Sequence, residues 1–139
     1  MKTLFAILLL LTTPPQAAAY NKKDIRCMAH AVYHESRGET PKGQAAVAHV
    51  ILNRQRSGLF PSTICGVVYQ PHQFTNIRLT KPKVNSEAWR NALVVSATTL
   101  SGLGNDPTKG AKYFYAHMAC KPKWSQAKAK IKIGNHTFI

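Results

Sequence analysis

Residues 29–54 read AHAVYHESRGETPKGQAAVAHVILNR, and they contain two helical patterns joined by a turn with an acid at each end. The first pattern starts at Asp24, the predicted N-cap, and its apolar residues recur at helical spacing: Ile25, Met28, Ala29 and Val32. At ~100° per residue, Glu35 lies about 80° from the centre of this apolar stripe. The pattern therefore predicts a carboxyl group beside a buried helix face, near the helix end.

The second helix is predicted to begin with Thr40 as N-cap and Pro41 in the first helical position. Residues 45–52 are apolar apart from one histidine, so this helix is too apolar to face solvent and the turn between Glu35 and Glu39 should lie against the core. A half-buried carboxyl group has a raised pKa, because desolvation disfavours its charged form, and it can then donate a proton to a leaving oxygen. The alternative is that Glu35 is an ordinary surface residue at a helix end.

Several motifs follow one another along the chain. They are E-x-R-G-E at 35–39, Gly43-Gln44, Ala46-Val47-Ala48, Asn53-Arg54, Phe60-Pro61, Thr63-Ile64-Cys65, Gln73-Phe74-Thr75, Trp124 and Gly134-x-His136-x-Phe138. With these motifs in this order, the chain resembles the SleB-type cell wall hydrolases, also called spore cortex-lytic enzymes, over almost its whole length after residue 19. The resemblance implies a lysozyme-like fold and lytic transglycosylase activity on peptidoglycan glycan strands, in a bacterial or a phage-type endolysin context.

Glycosidases ordinarily use two carboxylates, and Glu39 and Asp106 are the reasonable partners for Glu35. A single acid suffices if the C6 hydroxyl of muramic acid attacks the anomeric carbon and gives a 1,6-anhydro product, which is the reaction that the resemblance implies. We predict Glu35 as the general acid and base. Substrate contacts are predicted at Glu39, Gln44, Gln73, Phe74, Tyr113 and Tyr115. His136 matches the terminal motif, and the role expected for it is only to orient the C-terminal hairpin.

Two other functions are compatible with the residues. His30 and His34 lie on one helical face beside Glu35, which suggests a zinc-dependent peptidoglycan amidase. However, the order H-x-x-x-H-E places Glu35 about 100° from His34 rather than over the metal. A non-catalytic, basic wall-binding module would instead present exposed aromatic residues among its lysines. We expect no metal and no cofactor.

The chain is strongly basic, with 19 Lys and Arg against 5 Asp and Glu and a net charge of +14. Residues 1–19 have the lysine, apolar run and small residues of a cleavable signal peptide, so residues 20–139 are predicted to be a single cell wall hydrolase domain that is secreted or periplasmic. The charge favours binding to polyanions. Since the signal indicates export, the expected partner is an anionic cell-wall or membrane surface and not nucleic acid. We expect a monomer.

The remaining sequence predicts an α+β fold, mostly helical with a small antiparallel sheet at the C-terminal end. A short helix is expected after Ser62 and a third long helix from Ser86. Residues 112–117 are strand-like, and Gly134-Asn135 is a two-residue hairpin signal. The three cysteines suggest one disulfide, for which Cys65 with Cys120 is the favoured pair.

Overall fold

The computed structural model of the protein describes residues 19–74, 77, 80–117, 122–126 and 129–139. Nearly all of the predicted signal segment, Thr75 and Cys120 lie outside these residues. The described helices are α1 (Lys22–Ser36), α2 (Pro41–Arg56), α3 (Ile64–Val68) and α4 (Glu87–Leu100), with one 3₁₀ turn at Lys123–Ser125. The described strands are β1 (Phe114–Ala116), β2 (Ile131–Ile133) and β3 (His136–Phe138). In the described part of the chain, no helix has the length and apolar character that crossing a membrane requires.

Helix starts follow local capping residues. Thr40 and Ser86 cap α2 and α4 as predicted, each accepting a hydrogen bond from a backbone N–H in the first turn. The predicted cap of α1 was wrong, because Asn21 is the N-cap and Asp24 is the third helical residue. The two residues exchange hydrogen bonds of 2.9 and 3.0 Å in a capping box, which uses both side chains where an Asp24 cap would use one. Thr63, and not Ser62, caps α3.

The core lies between the four helices. α1 packs against α2, α3 and α4, and α2 also packs against α3, α4 and β2. The largest fully buried apolar side chains of the helices come from α1, α2 and α3: Met28, Val32, Val47, Val50, Ile51, Ile64, Val67 and Val68. Each contributes roughly 1.5–3 kcal/mol by leaving water. The turn between α1 and α2, which carries Glu39, is therefore anchored at both ends by buried helices.

The C-terminal sheet is antiparallel, with β3 between β1 and β2. Phe138 pairs with Phe114 on one side and Ile131 on the other, and His136 pairs with Ala116 and Ile133. These residues share one face of the sheet, and Phe138 is 1% exposed there. The predicted α+β class is confirmed, as is the hairpin at Gly134-Asn135.

The disulfide joins Cys27 to Cys65, so the predicted pairing of Cys65 with Cys120 was wrong. The reason is the packing of α3 on α1, which brings the Cα atoms of Cys27 and Cys65 to 5.2 Å. The bond closes a sequence separation of 38 residues. It fixes the first half of α1 to the short helix that follows α2.

Candidate active site

Glu35 lies in the last turn of α1, three residues after Val32 and seven after Met28, both of which are completely buried. The side chain of Glu35 is half-buried at the end of this face. Burial raises the pKa of its carboxyl above the ordinary value. No hydrogen bond or ion pair to this carboxyl group is made by the residues that the structure describes. Glu35 can therefore hold a proton at a higher pH than an exposed glutamate.

Glu39 connects the α1–α2 turn to the β2–β3 hairpin. Its carboxylate oxygens accept hydrogen bonds from the backbone N–H of Asn135 at 3.2 and 3.3 Å, across 96 residues of sequence. The side chain fills the space where Gly134 and Gly43 have no Cβ; a Cβ on Gly43 would lie 3.0 Å from the Cβ of Glu39. The Nδ1 atom of His136 is 3.5 Å from one carboxylate oxygen. Glu39 thus holds the hairpin beside the turn that follows Glu35.

His136 is buried beside this carboxylate. Burial lowers the pKa of its imidazole, the negative charge of Glu39 raises it, and His117 lowers it further, with a net lowering. Its Nδ1 atom is buried and has no hydrogen-bond partner among the described residues. The ring packs edge-on against Phe114, with centroids 5.3 Å apart. At neutral pH, His136 is a neutral residue that joins Glu39 to the aromatic face of the sheet.

Asp106, a predicted alternative partner of Glu35, is committed to its own loop. Its carboxylate accepts hydrogen bonds of 2.7–2.9 Å from the Asn53 side chain, from the hydroxyl and backbone N–H of Thr108, and from the N–H of Gly110. Burial acts to raise the pKa of Asp106, but these hydrogen bonds outweigh it and lower the pKa below its ordinary value. Asp106 is therefore an ionised structural residue.

The other two acids lie at helix starts. Asp24 accepts a hydrogen bond from the Asn21 N–H in the capping box of α1, and Glu87 is exposed in the first turn of α4. All five acids of the chain lie in the described residues. Among these acids, Glu35 is the one that is half-buried without a bonded partner.

Gln44 is buried at 6% exposure, and its Nε2 donates a hydrogen bond to the backbone oxygen of Glu39 at 3.2 Å. This contact crosses the N-terminal turn of α2, where Gln44 lies one helical turn after Thr40. The structure therefore places Gln44 beneath the turn. Its predicted contact with substrate remains a prediction.

Arg54 gathers three of the predicted contact residues around it. It is buried at 5% exposure, and its Nη1 donates to the side-chain oxygen of Gln73 at 3.0 Å. Its Nε donates to the backbone oxygen of Lys112 at 2.6 Å. Three aromatic rings surround the guanidinium with centroids 5.0–5.6 Å away: Phe60, Phe74 and Tyr113. Arg54 belongs to the Asn53-Arg54 motif, but its role was not predicted from the sequence. The available signal was an arginine at the end of an apolar helix.

The two clusters meet through Phe114, whose ring centroid lies 6.4 Å from that of Phe74 and 5.3 Å from that of His136. Tyr115 does not join them. Its partner in the sheet is Thr137, so it lies on the opposite face from His136. The structure thus brings Glu39 and Gln44 together at the turn, and Gln73, Phe74 and Tyr113 around Arg54.

The two histidines of α1 have a structural role. The Nε2 atoms of His30 and His34 lie 3.2 and 3.0 Å from the same backbone oxygen, that of Thr80. Since a carbonyl only accepts, both rings carry their proton on Nε2. Within the described residues, no group of three or more His, Cys, Asp and Glu side chains has an arrangement that would hold a metal ion.

Comparison with known proteins identifies a family and several relatives that are similar to this chain. A model of the cell wall hydrolase family matches residues 38–139. The spore cortex-lytic enzyme of Bacillus cereus is 40% identical over 120 residues, which is 86% of this chain and 45% of the relative. That of Bacillus subtilis is 36% identical, over 86% of this chain and 38% of the relative. The chain therefore spans less than half the length of these relatives.

Two solved structures are similar in fold as well as in sequence. The catalytic domain of Bacillus cereus SleB has a TM-score of 0.73 and 39% identity, covering 89% of this chain and 93% of that domain. The catalytic domain of SleB from Bacillus anthracis, described as a germination-specific lytic transglycosylase, has a TM-score of 0.70 and 39% identity, covering 88% and 98%.

The family model begins three residues after Glu35, but the longer matches include it. Any span of 120 residues in a chain of 139 contains residues 20–120, so the similarity to the Bacillus cereus enzyme covers both Glu35 and Glu39. The similarity in fold and the similarity in sequence both extend over most of this chain. This chain belongs to the cell wall hydrolase family.

Proposed function

We propose that this protein degrades peptidoglycan by cleaving the MurNAc–GlcNAc glycosidic bond as a lytic transglycosylase, with Glu35 as its single acid and base. The observation that carries the proposal is the half-buried, unbonded carboxyl group of Glu35, whose pKa is raised by burial. The similarity to a catalytic domain described as a lytic transglycosylase supports the reaction type.

The reaction needs one proton donor. Glu35 gives its proton to the glycosidic oxygen, the bond from that oxygen to C1 of MurNAc breaks, and GlcNAc leaves with a new hydroxyl. The C6 hydroxyl of the same MurNAc then bonds to C1 and gives its proton to the Glu35 carboxylate. The product is a 1,6-anhydro sugar, and Glu35 is again protonated. No water molecule is consumed.

The distribution of acids supports this route over one with two carboxylates. A second carboxylate would have to be available as a nucleophile or a base. Glu39 is bound to the Asn135 N–H, and Asp106 accepts four hydrogen bonds in its loop. In this mechanism both are structural residues: Glu39 fixes the β2–β3 hairpin beside the turn that follows Glu35, and Asp106 fixes its own loop to Asn53.

Substrate binding is proposed along the clusters that contain Glu39 and Arg54. Gln73 is exposed, and its carbonyl oxygen is held by Arg54, so its amide nitrogen remains to donate to a sugar hydroxyl. Tyr113 is partly exposed and Phe74 is buried, and the ring of each lies 5.6 Å from the same guanidinium group. An aromatic side chain beside an amide suits a sugar, which has an apolar face and hydroxyl groups. The proposed contacts of Gln44 and Tyr115 are less direct, because Gln44 is buried and Tyr115 lies on the other face of the sheet.

The cell wall is also the proposed location. The net charge of +14, which becomes +13 when the proposed signal segment with its single charged residue Lys2 is removed, favours an anionic wall or membrane surface. We also propose that the protein is exported through this segment, is a monomer and requires no metal or cofactor.

The test compares Glu35→Gln with Glu87→Gln, which removes the same charge from an exposed helix start. Each variant is incubated with purified peptidoglycan, and the released fragments are analysed by mass spectrometry. We expect 1,6-anhydro ends from the parent and from Glu87→Gln, and a rate about 10²–10⁴-fold lower for Glu35→Gln.

The fragments also separate the alternatives. Reducing sugar ends would indicate hydrolysis, whereas released stem peptides would indicate an amidase. Wall binding without any cleavage by the parent would indicate a binding module. Lysis by Glu35→Gln within a few-fold of the parent would exclude Glu35 as the acid.

A further inference from the structure

A cavity of about 540 Å³ opens on the first half of α1, whereas Glu35 lies in the last turn of this helix. Its walls come from α1, from the end of α3, from the loop at Pro82 and from the start of α4. The volume is in the range of small-molecule sites, which is ~300–1,000 Å³. Glu35 and the residues around Arg54 do not line it. The cavity is therefore separate from the proposed active site.

One side of this cavity is cationic. Lys22, Lys23 and Arg26 line it, and all three are exposed. All five acids of the chain lie in the described residues, and none of them lines this cavity. The neighbouring acid, Asp24, directs its carboxylate to the Asn21 N–H at 2.9 Å and belongs to the capping box. Three positive charges around one opening, without an acid in the wall, complement an anionic group.

The other side is aromatic and apolar, formed by Trp89, Tyr69 and Pro82. The Trp89 ring packs edge-on against Tyr33, with centroids 6.0 Å apart and an interplanar angle of 77°. An indole held in this way offers a fixed apolar surface, on which the apolar face of a sugar ring can pack. Charge on one side and a fixed aromatic surface on the other suit a charged sugar better than a bare ion.

The wall is held in shape before any ligand binds. His30, which lines the cavity, has Nδ1 2.9 Å from the Tyr69 hydroxyl and Nε2 3.2 Å from the Thr80 backbone oxygen. Cys27 also lines it and is bonded to Cys65, so α1 and α3 cannot separate at this point. A preformed wall lowers the entropy that binding costs.

We infer that this cavity binds a sugar unit bearing an anionic group, a carboxylate or a phosphate, of a cell-wall polymer. The anion meets Lys22, Lys23 and Arg26, whose guanidinium group suits either oxyanion. The sugar ring packs on Trp89. The site adds a second contact with the wall, and a second contact raises the overall affinity of a protein for a polymer. The inference does not depend on the catalytic role of Glu35.

Three probes with the same pyranose ring test the inference: N-acetylglucosamine 6-phosphate, N-acetylmuramic acid and neutral N-acetylglucosamine. Each is titrated at low salt into the folded protein, and the Trp89 indole N–H is followed by NMR. We expect millimolar binding of a charged sugar, about tenfold tighter than that of the neutral one. Binding of the phosphate alone assigns the site to sugar phosphates, binding of N-acetylmuramic acid alone assigns it to carboxylates, and binding of both shows that either anion suffices.

Matched double variants locate the contact. Lys22→Gln/Arg26→Gln should weaken binding about tenfold. Lys109→Gln/Lys130→Gln, which removes the same charge at a different cavity of about 480 Å³, should change it less than about twofold. Glu35→Gln should bind as the parent does, whatever its activity. The inference is overturned if the neutral sugar binds as tightly as the charged ones, if no probe shifts Trp89, or if both double variants lose affinity equally.

Discussion

Replacing Gly134 by alanine should detach Glu39 from the C-terminal hairpin. Gly134 has φ = +55°, while Asn135 has negative φ, which is the pattern of a type II′ turn. A Cβ at Gly134 would clash with one carboxylate oxygen of Glu39 and lie 3.0 Å from its Cδ. The carboxylate is the flexible end of its side chain and can swing away. It then loses the hydrogen bonds from the Asn135 N–H.

The expected cost has two parts. A non-glycine residue at positive φ costs about 1–2 kcal/mol. A lost hydrogen bond to a charged group, whose side chain is 9% exposed here, costs about 1.5–3 kcal/mol. Gly134→Ala should therefore lower the free energy of unfolding by about 2.5–5 kcal/mol.

Gly102→Ala is the matched control. Gly102 has φ = +75°, but a Cβ there would meet no atom within 4 Å, so this variant should lose only the backbone part. Urea unfolding followed by circular dichroism gives both free energies. Combining Gly134→Ala with Glu39→Ala should cost less than the sum of the two single changes, because both remove the same contact.

The reasoning fails if Gly134→Ala is no more destabilising than Gly102→Ala, or if the double variant shows simple additivity. Either result would mean that the carboxylate of Glu39 does not bind the hairpin in solution. A large loss of peptidoglycan cleavage by Gly134→Ala in its folded state would further indicate that the hairpin positions the active site.

Three further predictions concern Glu35, the disulfide and Arg54. Because burial raises the pKa of Glu35, the rate of cleavage should fall as the pH rises through that raised value. The folded state also favours the protonated carboxyl, so Glu35→Gln should be more stable than the parent above this pKa and equally stable below the ordinary carboxyl pKa. Urea unfolding at several pH values measures this difference in stability. The opposite trend would mean that this carboxyl is not desolvated. Replacing both Cys27 and Cys65 by serine should lower the free energy of unfolding by roughly 3–4 kcal/mol, given their separation of 38 residues, and an unchanged thermal midpoint after reduction would contradict the disulfide. Arg54→Lys should lower the free energy of unfolding by about 2 kcal/mol, because lysine replaces only one of the two hydrogen bonds of Arg54 and does not stack on three rings. Arg56→Lys, at an exposed position on the same helix, is the control. Equal stability of the two variants would be inconsistent with the observed packing.

Local signals in the sequence were sufficient for most of the secondary structure. Thr40-Pro41 and Ser86 mark helix starts and Gly134-Asn135 marks a hairpin, because capping and turn geometry depend on residues within a few positions of each other. The 3.6-residue period likewise placed Glu35 beside a buried face, and the structure finds it half-buried there. Its catalytic role stays a prediction.

Contacts between distant segments required the tertiary structure. The disulfide depends on α3 packing against α1, the bond from Asn135 to Glu39 spans 96 residues, and the rings around Arg54 come from three separate segments. A periodic pattern identifies which face of a helix is buried but not what covers it, since many apolar surfaces satisfy the same face. Motif order thus specified the family and the candidate acid, while the packing of four helices and a small sheet determined that Glu39 and Asp106 are bonded elsewhere and that the carboxyl group of Glu35 is half-buried, with a raised pKa.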